Sequence, residues 1–470
     1  MGIDSNAYQV LADIIKKEVF SPKIPTIGAI DIATFAEENH VKVKVLDFYA
    51  DDVSGYNADI IGISSTFMSL QHIREIAYFT RQNNPTSTIV LGGPLSWTIL
   101  PSVIFKLVPE IDVIVQGEGE QTFTELIESI SKGEDFGKVA GLFVKHNNSI
   151  VFTGHRARLD GDAIPMPQWR LLNKSLANMF PFLPIETSRG CPYKCAYCSE
   201  VHYWGKPPRY RSLNSILDEI ERNVYEFGIN TFRFTDSCFS APPERAANLC
   251  DTIYDRLGRN GITIKWSSYA HIKNLTYSLL EKMKRSGCFA LDIGVESGAP
   301  QILRRMGRRY SREDIINVSR AAKDLDILTD FNIVVGFPGE TDETLNQTID
   351  MLQEAMPDAF SCFVLFIAPH MIISEHPEIY GIKGSGLSWS HATMTSEDAY
   401  QALRMISKNA TNSCSFPGAE SFACNLTALG YSTEQIRSFF KATQKLTHCA
   451  NDRIARTSIE NVCEKLRALW

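Results

Sequence analysis

No run of about eighteen apolar residues occurs in the chain, so no segment of it is expected to cross a membrane as a helix. Basic charge is also not in excess. The formal net charge of −7 argues against nucleic acid as the main partner, because a surface that tracks phosphates is normally basic. Glycine-rich phosphate loops of the Walker or GxGxxG kind are missing, which lowers the case for ATP or a nicotinamide cofactor. There is no second C-x2-C pair, no compact cysteine array near the end, no histidine pair or aspartate-rich block for hydrolytic metals, and no short-period repeat. The chain opens on no apolar signal segment and scatters most of its eleven cysteines. A disulfide framework is therefore not expected, and a reduced, cytoplasmic, oxygen-sensitive protein is.

The cysteines that do form a pattern are Cys191, Cys195 and Cys198, written C-P-Y-K-C-A-Y-C. Three thiolates at this C-x3-C-x2-C spacing wrap one face of a four-iron cluster and leave its fourth iron without a protein ligand. An open iron binds a small molecule and passes it an electron, which points to redox catalysis. A zinc alternative stays open, since His202 follows Cys198 by four residues and would complete a tetrahedron. Lys206, Arg209 and Arg211 beside the cysteines are either a solvated loop or a contact for an anionic group.

At 470 residues and 44% hydrophobic composition the chain can bury more than one core. The expected division is a first α/β domain over 1–145, a linker over 146–180, a second domain over 181–368 and a helical C-terminal region over 369–470. In the first domain the apolar runs 41–48, 59–64, 87–93 and 111–117 read as buried parallel strands, with helical periodicity over 28–38, 70–81, 97–107 and 121–131. Residues 8–15 read as a further strand or as an amphipathic helix. A doubly wound, Rossmann-like parallel sheet follows, and ligands of such sheets sit beyond the carboxyl ends of the strands. Those ends carry Ser64, Ser65 and Thr66, then Gly92, Gly93 and Pro94, then Gly117, Glu118 and Gly119. Short hydroxyls and a backbone that can approach closely suit a binding edge.

From residue 183 the βα rhythm restarts in longer units. Strands are expected over 183–188, 231–235, 263–268, 289–295, 329–336 and 359–367, with helices over 213–227, 243–257, 277–286, 312–324 and 343–354. Six units make an open, partial (β/α)6 barrel, whose function collects at the carboxyl ends of its strands. The cysteine loop follows the first of them. Asp236 and Glu296 stand at two other strand ends. A buried carboxylate there needs a partner such as an ammonium group or ribose hydroxyls, or else caps the following helix.

These features resemble the radical S-adenosylmethionine superfamily, and within it the branch with an N-terminal cobalamin-binding domain. The cysteine triplet with Tyr197 before its last member is similar to the superfamily signature. FRFTDSCF, GVESG, ILRRMGR and IVVGFPGET are similar to the branch's strand-end motifs, and IPTIGAIDIATFAEENHVKVKVLDF, LGGP and VQGEGEQTFTEL to its cobalamin domain. The resemblance runs from about residue 24 to 368. It implies that Cys191, Cys195 and Cys198 ligate a four-iron (4Fe–4S) cluster whose open iron takes S-adenosylmethionine, and that one electron splits the sulfonium to give a 5′-deoxyadenosyl radical. It places Tyr197 near the adenine, Asp236, Glu296 and Ser297 near the polar groups, and Gly336 to Pro338 on the far wall. It implies cobalamin between the domains, held by the three strand-end loops, without a D-x-H-x-x-G lower ligand. The leading function it implies is methylation of an unactivated carbon of a small molecule or peptide, with a reductant such as flavodoxin or ferredoxin. The alternative is a radical dehydratase, oxidoreductase or cyclase in which the first domain binds no cobalamin, or uses it without methyl transfer.

Past residue 368 the pattern changes to a loop-rich stretch over 370–389, a helix over 396–407 with Thr395 as its cap, and further helix. Trp389 and His391 are either substrate contacts or a packed aromatic and a satisfied histidine. Cys362, in the last barrel strand, is either a hydrogen donor or a small buried hydrophobe.

Overall fold

A computed structural model gives the fold and describes residues 27–48, 51, 53, 55–65, 70–146, 149–172 and 180–450, with side chains to 445. In the first domain, strands Ile60–Ser64, Thr88–Gly92 and Val113–Val115 pair in parallel and in chain order. Successive side chains of a strand point to opposite faces. Ile89 and Leu91 pack on Ile73 and Ile76 of helix Leu70–Asn83 and on Ile104 and Phe105 of helix Pro101–Leu107. Val90 and Val113 pack on the other side with Leu126 of helix Gly119–Ser131. Helices on both faces of a parallel sheet make the doubly wound, Rossmann-like arrangement.

Several expected elements differ. Residues 41–48 make no strand of this sheet; Val45 forms only a single parallel bridge, to Leu172. The run alternates valine with lysine, and its lysines stay exposed, so only one of its faces is available for packing. The helix expected over 97–107 is two pieces, Leu95–Thr98 and Pro101–Leu107. Pro101 lacks the N–H that would continue the first piece, and its fixed φ starts the second. The sheet also runs past residue 145. Antiparallel strands Leu142–His146 and Ser149–Phe152 extend it, and Phe143 stacks on Phe152 at 4.7 Å. Residues 8–15 lie outside the described residues.

The second domain is one seven-stranded parallel sheet. Strands Leu183–Ile185, Thr231–Phe234, Lys265–Ala270, Cys288–Glu296, Leu328–Val335 and Ala359–Val364 stand side by side in chain order, forming the partial barrel. Its helices follow from local chemistry. Helix Leu213–Phe227 starts where the Ser212 hydroxyl accepts the Ser215 N–H at 3.3 Å and stops at Gly228, whose φ of 68° is left-handed. Between these ends Ile216, Leu217 and Ile220 share one buried face.

The C-terminal region departs from all-helical. Cys414–Ser415 adds the seventh strand, parallel to Ala359–Val364. A three-stranded antiparallel ribbon of Lys383–Ser385, Ser388–His391 and Met394–Thr395 occupies part of the stretch read as loop. Helix Ser396–Asn409 begins at Thr395, which forms a capping box with Asp398. Helix Ala419–Ala428 packs Ala419, Phe422 and Ala423 against Phe289, Ala290, Leu328 and Ala359, at or near the starts of the barrel strands. That helix fills the amino-terminal end of the lumen and leaves the carboxyl end as the mouth. Each buried Phe of this plug contributes about 1.5–3 kcal/mol.

Candidate active site

The segment after the first barrel strand carries the cysteines, and its approach is held by buried polar groups. Asp236, at the end of the second strand, accepts from the Thr187 hydroxyl at 2.7 Å, from the Ser188 hydroxyl, and from the Thr187 N–H at 3.4 Å. Arg245 donates to the Thr187 carbonyl at 2.8 Å. Burial raises the Asp236 carboxyl above the usual carboxylate range, and Arg245 pulls it back. Its Oδ1 is spent on the strand that leads into the cysteine loop, and Oδ2 takes only the long Thr187 N–H contact.

Cys195 is buried, Cys191 and Cys198 are half-buried, and all three are free thiols. A turn closes between the last two, Cys198 N–H to Cys195 carbonyl at 3.2 Å, and the Ala196 N–H donates to the Met306 carbonyl at 3.0 Å. Gly307 lets that contact form: its φ is +85°, and a Cβ there would stand 3.0 Å from the Lys194 carbonyl oxygen. Burial pushes all three thiols up, and Arg308 pulls Cys191 and Cys195 back toward the thiolate. Among the described residues no three His, Cys, Asp or Glu side chains close around a single metal ion. His202 stacks on His370 with ring centroids 4.1 Å apart, so the zinc alternative finds no tetrahedron here.

Tyr197 and Glu296 are brought together by a residue that sequence reasoning did not single out. Arg308 donates to the Tyr197 hydroxyl at 2.6 Å and 2.9 Å and also pairs with the Glu296 carboxylate. Glu296 sits at a bulge in its strand with φ +67°, a left-handed backbone that a non-glycine residue adopts at a cost of about 1–3 kcal/mol. Ser297 points elsewhere. Its hydroxyl lies 3.3 Å from that of Thr348 and accepts from the Ala299 N–H at 3.1 Å, in the turn ahead of helix Pro300–Met306. Phe337, between Gly336 and the buried Pro338, meets Tyr197 edge-on at 6.4 Å. Gly336 has φ +93°, and a Cβ on it would lie 2.4 Å from Trp389. Trp389 is buried and bonds the Leu365 carbonyl at 2.7 Å, while His391 reaches the Gly336 carbonyl at 3.1 Å. Both residues therefore brace this turn. Cys362 is buried in the core, where burial raises its thiol.

The strand ends of the first domain face the same side. Ser65 bonds the Gly92 carbonyl, and Gly93, at φ +93°, lies so near that a Cβ would be 3.0 Å from the Ser65 nitrogen. Ser64 is half-buried, and Pro94 caps the short helix Leu95–Thr98. Thr66 lies outside the described residues. Trp97 of that helix meets His202 at 4.9 Å and Tyr203 at 5.1 Å, so the edge of the first sheet touches the helix that follows Cys198. Gly117 stands beside this tryptophan: a Cβ there would lie 3.8 Å from its ring. Gly119 serves packing: a Cβ there would be 2.8 Å from Ile32 of helix Ile27–Glu38.

Glu118 belongs to a buried ionic junction between the domains. It pairs with Arg209 and accepts the Leu159 N–H at 2.8 Å. Arg189, three per cent exposed, faces Glu120 and Glu186 at 2.8 Å, Asp31 at 3.5 Å and Glu118 at 3.8 Å. Burial, then the charge of Glu186, drives the Asp31 carboxyl well above its ordinary range. No spacing in the sequence marks Arg189 or Asp31, because all their partners but Glu186 come from the other domain.

The sequence matches the model of the radical SAM superfamily over residues 185–352 and that of the B12 binding domain over residues 17–127. It is 30% identical over 345 residues to an uncharacterized methyltransferase, PH0819, of Pyrococcus horikoshii, covering 71% of this chain and 74% of that protein. It is 24% identical over 325 residues to the anaerobic magnesium-protoporphyrin IX monomethyl ester cyclase of Rubrivivax gelatinosus, covering 66% of this chain and 57% of the cyclase. In fold it is similar to TsrM, a radical S-adenosylmethionine methyltransferase from Kitasatospora setae. The structure of TsrM with tryptophan substrate and an aza analogue of S-adenosylmethionine gives a TM-score of 0.70 at 19% identity, covering 92% of this chain and 98% of that one. The structure with cobalamin and a 4Fe–4S cluster gives 0.66 at 21% identity, covering 77% and 74%. The chain is accordingly an enzyme whose cofactors are a 4Fe–4S cluster, S-adenosylmethionine and cobalamin. It belongs to the radical SAM superfamily, in the branch whose barrel is joined to a cobalamin-binding domain.

Proposed function

We propose that this enzyme transfers a methyl group to an unactivated carbon of a small molecule or peptide, in a reducing cytoplasm and with electrons from a flavodoxin or ferredoxin. The observation that carries the reading is the contact of Trp97, from the glycine-rich edge of the first sheet, with His202 and Tyr203, just beyond Cys198. A methyl carrier at that edge and a radical source at the cysteine loop would lie side by side, and close approach of donor and acceptor is what such a transfer needs.

The residues present fit the three groups. Cys191, Cys195 and Cys198 would hold the cluster, as free thiols beside the cations Arg308 and Lys206. Tyr197, Glu296 and the Gly336–Pro338 turn would hold S-adenosylmethionine, with Asp236 and Ser297 acting indirectly by fixing strand and helix. The loops of Ser64 to Thr66, Gly92 to Pro94 and Gly117 would seat the corrin. There Trp97 Nε1, Gln116 Oε1 and His202 Nε2 are buried without hydrogen-bond partners, and the primary amides of a corrin rim both donate and accept. Glu118 and Gly119 would serve by locking the domains and seating a helix. When bound, these groups supply an electron, a radical and a methyl group. The chain's own work is to orient the reacting atoms and exclude water, and the braced turn from Gly336 to Pro338 suits that task.

A second reading, ring closure without methyl transfer, draws on the likeness to the cyclase of Rubrivivax gelatinosus. A substrate-independent test separates the two. The anaerobically reconstituted protein is given reduced cobalamin and S-adenosylmethionine. Formation of S-adenosylhomocysteine together with methylated corrinoid supports methyl transfer; production of 5′-deoxyadenosine alone favours the second reading.

A further inference from the structure

His271 follows strand Lys265–Ala270 at the carboxyl end of the barrel and is four per cent exposed. Its ring stacks on Tyr193 of the cysteine loop at 4.1 Å and 18°, and its edge meets Tyr310 at 5.4 Å. Tyr310 bonds the Val295 carbonyl at 2.9 Å, beside Glu296. His271 is therefore wedged between the loop that carries Cys191 and the bulge that carries Glu296.

The hydrogen bonds fix which nitrogen carries the proton. Nδ1 accepts the Lys273 N–H at 3.2 Å, so the neutral ring bears its hydrogen on Nε2. Burial, with Arg308 and Lys273 nearby, lowers its pKa to about 3 and keeps the ring neutral. Among the described residues Nε2 has no hydrogen-bond partner, yet it is not among the polar atoms sealed from water. A ring this deeply buried thus presents one donor, Nε2–H, to the mouth of the barrel. The mechanism above gives it no task. The charges that act on the ring, Arg308 and Lys273, are positive, Arg308 being shared with Glu296, which suits an anionic acceptor.

We propose that His271 is a binding residue that donates from Nε2 to the methionyl carboxylate of S-adenosylmethionine, an inference that rests on the radical SAM reading of the cysteine loop. The wedge between Tyr193 and Tyr310 fixes the ring plane and hence the direction of the donor. Its neutral state lets it donate this hydrogen bond without adding a third positive charge beside Arg308 and Lys273.

The test measures equilibrium binding of S-adenosylhomocysteine, which keeps the carboxylate and is not cleaved, to anaerobically reconstituted protein. Affinity is read from the change in the electron paramagnetic resonance spectrum of the reduced cluster, so that only cluster-bearing molecules count. His271→Phe keeps an aromatic ring against Tyr193 and removes the donor. It is expected to weaken binding about tenfold, as for a lost hydrogen bond to a charged group. His271→Gln, which restores an N–H, recovers most of that loss. Decarboxylated S-adenosylmethionine binds wild type and His271→Phe alike. Equal affinity of both proteins for S-adenosylhomocysteine overturns the proposal, as does an undiminished penalty with the decarboxylated probe. If His271→Phe loads no cluster, His271→Ala is read in the same way. A wild-type protein that carries a cluster but binds no S-adenosylhomocysteine would instead overturn the parent reading.

Discussion

Arg308 grips the hydroxyl of Tyr197 with two nitrogens, Nη2 at 2.6 Å and Nε at 2.9 Å. The same guanidinium pairs with Glu296, so one side chain ties the cysteine loop to the fourth barrel strand. Removing it leaves a buried carboxylate unpaired, which costs about 3–5 kcal/mol. Arg308→Lys keeps the charge but not the fork. At equal cluster content its yield of 5′-deoxyadenosine from S-adenosylmethionine is expected to fall at least about tenfold, the equivalent of about 1.4 kcal/mol. A yield equal to wild type would contradict this role.

Gly307→Ala tests the close approach beneath the cysteines. The new Cβ meets the Lys194 carbonyl oxygen in a backbone already at φ +85°, and the strain costs about 1–3 kcal/mol. Iron bound per chain after reconstitution should drop. Gly228→Ala is the control: its φ of +68° is also left-handed, but nothing lies within 4 Å of the added carbon. That variant should lose some stability and keep its iron.

Much of this architecture is legible in the sequence, and the failures share a cause. The βα rhythm marks the barrel strands because each is a short apolar run between turn residues, and Thr395 announces its helix by a cap that needs only local neighbours. The run 41–48 misleads because period-two alternation describes any half-buried extended segment, whichever partner it meets. The seventh strand, Cys414–Ser415, is two residues long and has no periodicity to read. In the site, Cys191, Cys195, Cys198 and Tyr197 form a contiguous pattern. Arg308 lies within the motif ILRRMGR, where nothing distinguishes it from Arg304 or Arg305 until the fold turns it toward Glu296. Arg189 and His271 act through partners remote in the chain, and no spacing encodes those.

Arg189 supports a prediction about the joint between the domains. Its removal as Arg189→Leu leaves Asp31, Glu118, Glu120 and Glu186 facing a hydrocarbon, at a cost of about 3–5 kcal/mol. Calorimetry should show a lower melting temperature and, where wild type gives one transition, two. A single transition at the wild-type temperature would show that the junction does not hold the domains together.

Glu340 gives a pH dependence with a definite sign. Burial raises its carboxyl from 4.5 to about 7, against the pull of the Gly336 and Phe337 N–H groups. Its folded value lies above its unfolded one, so its contribution to stability is fully present below pH 4.5 and is lost as pH rises through 7. Relative to Glu340→Gln, wild-type stability should fall between pH 5.5 and 7, by up to about 1.4 kcal/mol per pH unit, and level off above. Urea midpoints of the two proteins across that range check it; a wild-type midpoint that rises relative to Glu340→Gln as pH increases would have the wrong sign.

The proposed radical chemistry rests on Cys191, Cys195 and Cys198 holding a four-iron cluster with one open iron. The most direct measurement is electron paramagnetic resonance of the reduced, anaerobically reconstituted protein before and after S-adenosylmethionine is added, with iron and sulfide counted on the same sample. The prediction is about four irons and four sulfides per chain, a spectrum that changes on addition, and loss of both when any one of the three cysteines becomes alanine. A protein that binds its full iron with all three cysteines replaced, or whose spectrum ignores S-adenosylmethionine, would contradict it.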